Sequence, residues 1–192
     1  LPLPFRKTQA FSMKNLGKIS LILVYLLGAV YLLLPDPIYP DVASATRSNE
    51  PGDTWQNPDQ KAFFTNKTRQ EVLQEMQTSF SLPSIPSFRL NYRPEESGQF
   101  VRELVESYYL EEIVHPLRES LFVNGWEPQN SPYWRSVEPD KRPAIQINGV
   151  FYRSKIILKP VYSSPLSRIF VWTFIFPLSY LCFKSLKRSF TS

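Results

Sequence analysis

The chain has 192 residues, among them 18 Pro, 6 Gly, 4 Trp and a single Cys and His, with 20% charged and 43% hydrophobic residues. That length holds one modest folded domain and little else, and the composition excludes a disordered or collagen-like polymer, while a mean hydropathy of −0.24 excludes a polytopic membrane protein. One Cys rules out an intrachain disulfide and a Cys-based structural zinc site.

The formal net charge of +5 is unevenly spread. Residues 1–35 carry Arg6, Lys7, Lys14 and Lys18 and no acid, and residues 166–192 carry Arg168, Lys184, Lys187 and Arg188 and no acid. All 17 acidic residues lie between, against 14 basic ones. The positive excess therefore flanks the two most apolar stretches, a membrane pattern and not a nucleic-acid footprint. Residues 1–18 read as a basic cytoplasmic N-terminus and residues 19–34, ISLILVYLLGAVYLLL, as a first transmembrane helix. Its sixteen residues rise about 24 Å, and Lys18 can snorkel to close the gap to a hydrocarbon core of about 30 Å. A competing reading makes this segment a signal peptide cut after Ala45, at the small-residue run Ala43-Ser44-Ala45; the anchor is preferred because the apolar run exceeds an ordinary signal core.

Residues 35–60 hold Pro35, Pro37, Pro40, Pro51 and Pro58 among polar residues and read as an extended stalk. Residues 61–162 read as an extracytoplasmic α+β domain. Residues 61–65 and 87–92 have strand patterns. Thr68 and Glu71 match a capping box ahead of Val72, Leu73, Met76 and Phe80, which predicts a helix over 69–80 stopped by Pro83 and Pro86. Pro94-Glu95-Glu96 predicts the start of a longer helix, with a stripe of Phe100, Val101, Leu104, Val105, Tyr108, Tyr109 and Ile113, continuing past Pro116 through Leu117 and Leu121. Asn124-Gly125 reads as a turn or a helix C-cap. Asn148-Gly149 predicts a two-residue hairpin pairing Ile147 with Val150 and Ile145 with Tyr152. The expected core is a small mixed or antiparallel sheet, built from 61–65, 87–92 and the 144–159 hairpin, and covered by two helices.

A second transmembrane helix is expected over 166–183, containing Pro177 and bracketed by Trp172 and Tyr180, with residues 184–192 a basic cytoplasmic tail. Four basic residues before the first helix place the N-terminus in the cytoplasm, and two crossings return the C-terminus there.

Phosphate-loop, dinucleotide, hydrolase-elbow and zincin motifs are missing from the sequence. His115, with Glu111 and Glu112 near it, supplies too few ligands for a metal and reads as a hydrogen-bonded helix-end residue. Glu95-Glu96 and Glu111-Glu112 diverge on a helix and read as solvated faces, and Cys182 reads as a buried apolar residue. Asn66-Lys67-Thr68 fits the glycosylation sequon. The interaction candidate is an aromatic and basic patch of Trp126, Tyr133, Trp134, Arg135 and Arg153, flanked by Lys141, Arg142 and Tyr152; indole and phenol rings stack on sugars or anchor peptides, and arginine engages carboxylates. The sequence thus points to a non-enzymatic, membrane-anchored binding or assembly module, an accessory subunit of a cell-envelope complex. It has no expected metal or cofactor and no expected nucleic-acid partner; its expected partners are the lipid bilayer and a protein or envelope polymer. An envelope-polymer hydrolase is the alternative.

Overall fold

The computed structural model describes residues 13–82, 85–100 and 107–189. They divide into two compact units: one contains the described helices near the two ends of the chain, and the other is residues 36–163.

Helix α1 spans Met13–Leu32 and helix α4 spans Pro165–Ser189, with Pro177 inside it. Within α4, Pro165–Leu186 is long and apolar enough to cross a membrane, and its most apolar stretch is not buried in the structure, although Arg168 near its start is; the apolar part of α1, Leu16–Leu32, is shorter. The two helices pack on each other. Trp172 Nε1 donates to the Tyr25 carbonyl at 3.0 Å, Tyr25 Oη and Thr173 Oγ1 lie 3.0 Å apart, and the Tyr25 ring meets Phe176 edge-on. Gly28 makes this approach geometrically feasible, because a Cβ there would lie 2.2 Å from the Trp172 ring. Gly28 meets Trp172 and Tyr25 meets Phe176, so the pair is antiparallel.

The second unit is built on a six-stranded sheet in the order β1-β2-β8-β5-β4-β3, with every neighbouring pair antiparallel. The strands are β1 Thr46–Arg47, β2 Lys61–Thr65, β3 Phe88–Tyr92, β4 Tyr109–Val114, β5 Ser120–Trp126 and β8 Ser154–Val161. Helix α2, Arg69–Ser79, starts at the expected capping box: Thr68 Oγ1 accepts from the Glu71 amide and the Glu71 carboxylate accepts from the Thr68 amide. That exchange satisfies two amides that a helix N-terminus otherwise leaves open, and it lowers the Glu71 pKa. Val72, Leu73 and Met76 of α2, with Phe80 and Val42, bury one sheet face carrying Phe63, Tyr109, Ile113, Leu121, Val123, Ile156 and Leu158. The other face gathers Ala62, Leu110, Phe122 and Ile157, with Tyr92 and Phe100 packed beside them. Residues Val150–Tyr152 (β7) fold back on Ile145–Ile147 (β6) in the expected register, with Asn148 at φ +50° and Gly149 at φ +81°.

Several expectations are overturned. The long helix beginning at Pro94 is a short turn followed by the four-residue helix α3, Ser97–Phe100. Val101, Leu104 and Val105 of its expected stripe lie outside the described residues, as does Pro83. Tyr109–Val114 and Ser120–Trp126 are instead adjacent strands, each buried on both faces. Tyr109, Glu111 and Ile113 share one face by strand alternation, and Glu111 belongs inside because Arg69 and Arg89 both pair with it. Asn124-Gly125 is neither turn nor cap. It lies within β5, where the missing side chain of Gly125 admits the Tyr109 ring, since a Cβ there would lie 2.2 Å from that ring.

Residues 36–60 are not a free stalk but part of the fold. Tyr39 donates to the Leu158 carbonyl, the Ala43 amide donates to Glu75, Val42 is in the core and β1 pairs with β2. Buried Asp53 accepts from Ser48 and pairs with Lys155 at 3.0 Å. The sheet is wholly antiparallel, and of the expected 144–159 hairpin only β8 joins it, while β6 and β7 form a separate ribbon.

Candidate binding site

The β6–β7 ribbon is fixed by a few specific contacts. Tyr152 packs against Phe64 and its Oη lies 2.7 Å from Thr46 Oγ1, while the Arg153 amide donates to Asn66 Oδ1 at 2.8 Å. Facing it, the segment after β5 folds into tight turns. The Glu127 carbonyl accepts from the amides of Asn130 and Ser131, and the Ser131 hydroxyl caps the turn at Tyr133. Arg142 closes this loop by donating to the carbonyls of Val137 and Gln129.

Between ribbon and loop lies a cleft of about 380 Å³. Its apolar walls are Pro128, Pro143, Ile145, Phe151 and Tyr152, and Asn66, Gln129 and Arg153 supply polar groups. Behind Arg153, the buried Glu127 carboxylate accepts from Arg153 Nε at 3.3 Å and from Asn130 Nδ2 at 2.7 Å. The guanidinium is thereby held while 43% of its side chain stays exposed. Apolar walls with a few fixed polar groups are what recognition of a ligand requires.

Of the expected patch, the cleft takes in Arg153 with its neighbour Tyr152. Trp126, Tyr133, Trp134 and Arg135 are not brought into it. Tyr133 is 64% exposed and stands edge-on to the half-buried Trp134. The indole Nε1 atoms of Trp126 and Trp134 are both buried, with no hydrogen-bond partner among the described residues. Arg135 is exposed, Lys141 pairs with Glu138, and Arg142 is internal to the loop. The cleft residues outside the expected aromatic and basic patch are Asn66, Pro128, Gln129, Pro143, Ala144, Ile145 and Phe151. The hairpin signal at Asn148-Gly149 was the available pointer to Ile145 and Phe151.

The acidic and histidine candidates sit elsewhere. His115 is in the β4–β5 turn, not at a helix end, and stacks on Phe80. Its Nδ1 lies 3.0 Å from Glu119 Oε1, and Glu119 Oε2 accepts from Arg118 Nε at 3.0 Å. Burial alone would raise the Glu119 carboxyl, but the His115 and Arg118 contacts outweigh it and hold the pKa down to about 2. Glu112 accepts from Tyr92 Oη at 2.6 Å, which pushes that phenol up to about 12. Cys182 is exposed on α4, not buried. No group of three or more metal-ligating side chains converges among the described residues. No family model, no curated protein and no solved structure matches the chain.

Proposed function

We propose that the protein is a two-pass membrane protein with both termini in the cytoplasm, and that residues 36–163 form an extracytoplasmic binding or assembly module of a cell-envelope complex. The observation that carries this reading is the α1–α4 pair. Leu16, Ile19, Leu23, Leu27, Phe170 and Phe174 are among the many apolar side chains that the pair leaves exposed. So large an apolar surface is tolerated where lipid covers it, and a glycine receiving a large side chain is the packing that helices use in lipid. Antiparallel pairing also puts the ends of the helices bearing Lys14 and Lys18, and Lys184 and Lys187, on one side, which the positive-inside rule makes cytoplasmic.

The module engages a protein or an envelope polymer through the ribbon cleft, with Phe151 and Tyr152 as the contact surface and Arg153 as the polar anchor. No step of bond making is assigned to it. Reporter fusions test the topology: Met13 and a C-terminal fusion are expected inside and an insertion at Gly149, whose surroundings are open, outside. An external C-terminus refutes the reading. A photo-crosslinker at Phe151 is expected to capture an envelope component, and Arg153→Ala to abolish that capture while the fold is retained.

A further inference from the structure

The sheet unit exposes several apolar side chains around the end of the sheet at which its chain begins and finishes. Ile38 is 86% exposed, Phe88 56%, Leu117 49%, Tyr162 48% and Val161 46%. Register groups Phe88 and Val161: Phe88 pairs with Val114, Val114 with Ser120 and Ser120 with Val161, so both lie on one terminal row and one face of the sheet. Leu117 projects from the β4–β5 turn beside that row, in a left-handed conformation with φ +60°.

A buried charged network ties this end together. Arg118, in the same turn, donates to Asp36 Oδ1 at 3.3 Å, and its carbonyl accepts from Ser163 Oγ at 3.3 Å. Asp36 and Ser163 are the first and last residues of the unit. One residue therefore holds the entering chain, the leaving chain and the turn that carries Leu117. Glu119 and His115 stand behind it, fully buried. Arg118, Glu119 and His115 are buried, Asp36 is partly exposed, and the large side chains most exposed around this end are apolar.

We propose that Ile38, Phe88, Leu117, Val161 and Tyr162 form a collar that sits in the headgroup–acyl boundary of the lipid bilayer and holds the module against the membrane surface; this rests on the reading that α1 and α4 span it. Chain reach supports lipid as the occupant. Tyr162 is three residues from Pro165 of α4 and Ile38 six from Leu32 of α1, so only short connections separate them from the helices in sequence. Tyrosine is a residue type that anchors at this boundary.

The test uses the full chain in phosphatidylcholine nanodiscs, with Cys182→Ser and one new cysteine carrying a polarity-sensitive fluorophore. Ile38→Cys and Leu117→Cys are the collar probes. Tyr133→Cys, beyond the opposite end of β5, is the water control, and Phe174→Cys in α4 is the bilayer control. Near-ultraviolet circular dichroism matching the parent shows that each labelled chain is folded; two collar positions are used so that one tolerated substitution suffices. The collar probes are expected to emit blue-shifted from the Tyr133 probe and to lose intensity to a nitroxide placed shallow in the acyl chain. Collar emission and quenching equal to the Tyr133 probe, while the Phe174 probe is quenched, overturn the collar alone. A blue shift that grows with protein concentration and ignores the nitroxide identifies contact between copies and overturns it too. An unquenched Phe174 probe refutes the membrane reading itself, and the collar with it.

Discussion

Replacing Glu119 by Gln should remove a pH-dependent part of the stability of the sheet unit. The side chains of His115, Arg118 and Glu119 are all inaccessible to solvent. Burial opposes the charge on Glu119, yet the contacts from His115 and Arg118 hold its carboxyl near 2, against an ordinary value of 4.5. A folded-state pKa below the unfolded one means that the unfolded chain binds more protons in that interval. The stabilisation is thus fully present above about pH 5 and drains away as the pH falls toward 2. A shift of that size corresponds to on the order of 3 kcal/mol, in line with the roughly 3–5 kcal/mol lost when one member of a buried ion pair is removed. Glutamine keeps the shape and an acceptor oxygen but removes the buried negative charge that lies 3.0 Å from Arg118 Nε. Urea unfolding of the full chain in nanodiscs, followed by tryptophan fluorescence between pH 7 and 2, measures the effect. Wild type should exceed Glu119→Gln by about 3 kcal/mol at pH 7, and the two curves should converge as the pH drops. A gap that stays constant down to pH 2 would show that the carboxylate charge is not its source.

Three further outcomes follow from packing. Gly125→Ala should destabilise the unit by about 1–3 kcal/mol or more, because the new methyl meets the Tyr109 ring, which is buried and has no room to retreat; thermal unfolding reads this. Trp134→Ala should lower thermal stability, since its indole is buried at Nε1, whereas Tyr133→Ala at an exposed position should stay within about 0.5 kcal/mol of wild type. Intact mass of the membrane-extracted protein should show no cut after Ala45, and a version starting at Thr46 should fail to fold, because it lacks Val42 from the core and the Tyr39 bond to Leu158.

What the sequence revealed and what it hid divide along the range of the interactions. The capping box at Thr68 and Glu71 acts within one turn, and the Asn148-Gly149 hairpin acts across two residues whose backbone conformation their side chains favour. Both were legible because cause and effect are neighbours in the chain. The segment from Tyr108 to Leu121 misled because its apolar residues fit helical and strand spacing equally, and only the fate of Glu111 separates the two. An acid read as solvent-facing selects a helix; an acid paired by Arg69 from α2 and Arg89 from β3 selects a strand. Those partners lie 42 and 22 residues away in sequence, and no local pattern announces them.

The same reasoning accounts for residues 36–60 and for the site. Proline and polar residues suggested a solvated stalk, but Ser48 and Asp53 are buried because Lys155, on the central strand β8, offers Asp53 a counter-charge. In the loop after β5, the tryptophans and arginines close together in sequence are dispersed by the way Arg142 stitches the loop, one turning inward and another outward. The cleft instead draws Asn66 from the end of β2 to Arg153 at the end of β7, a meeting set by the antiparallel pairing of β2 with β8. The cleft takes in Tyr152 and Arg153 from the aromatic and basic stretch of the sequence, but which other residues line it is decided by strand order, which in an antiparallel sheet depends on contacts far apart in sequence.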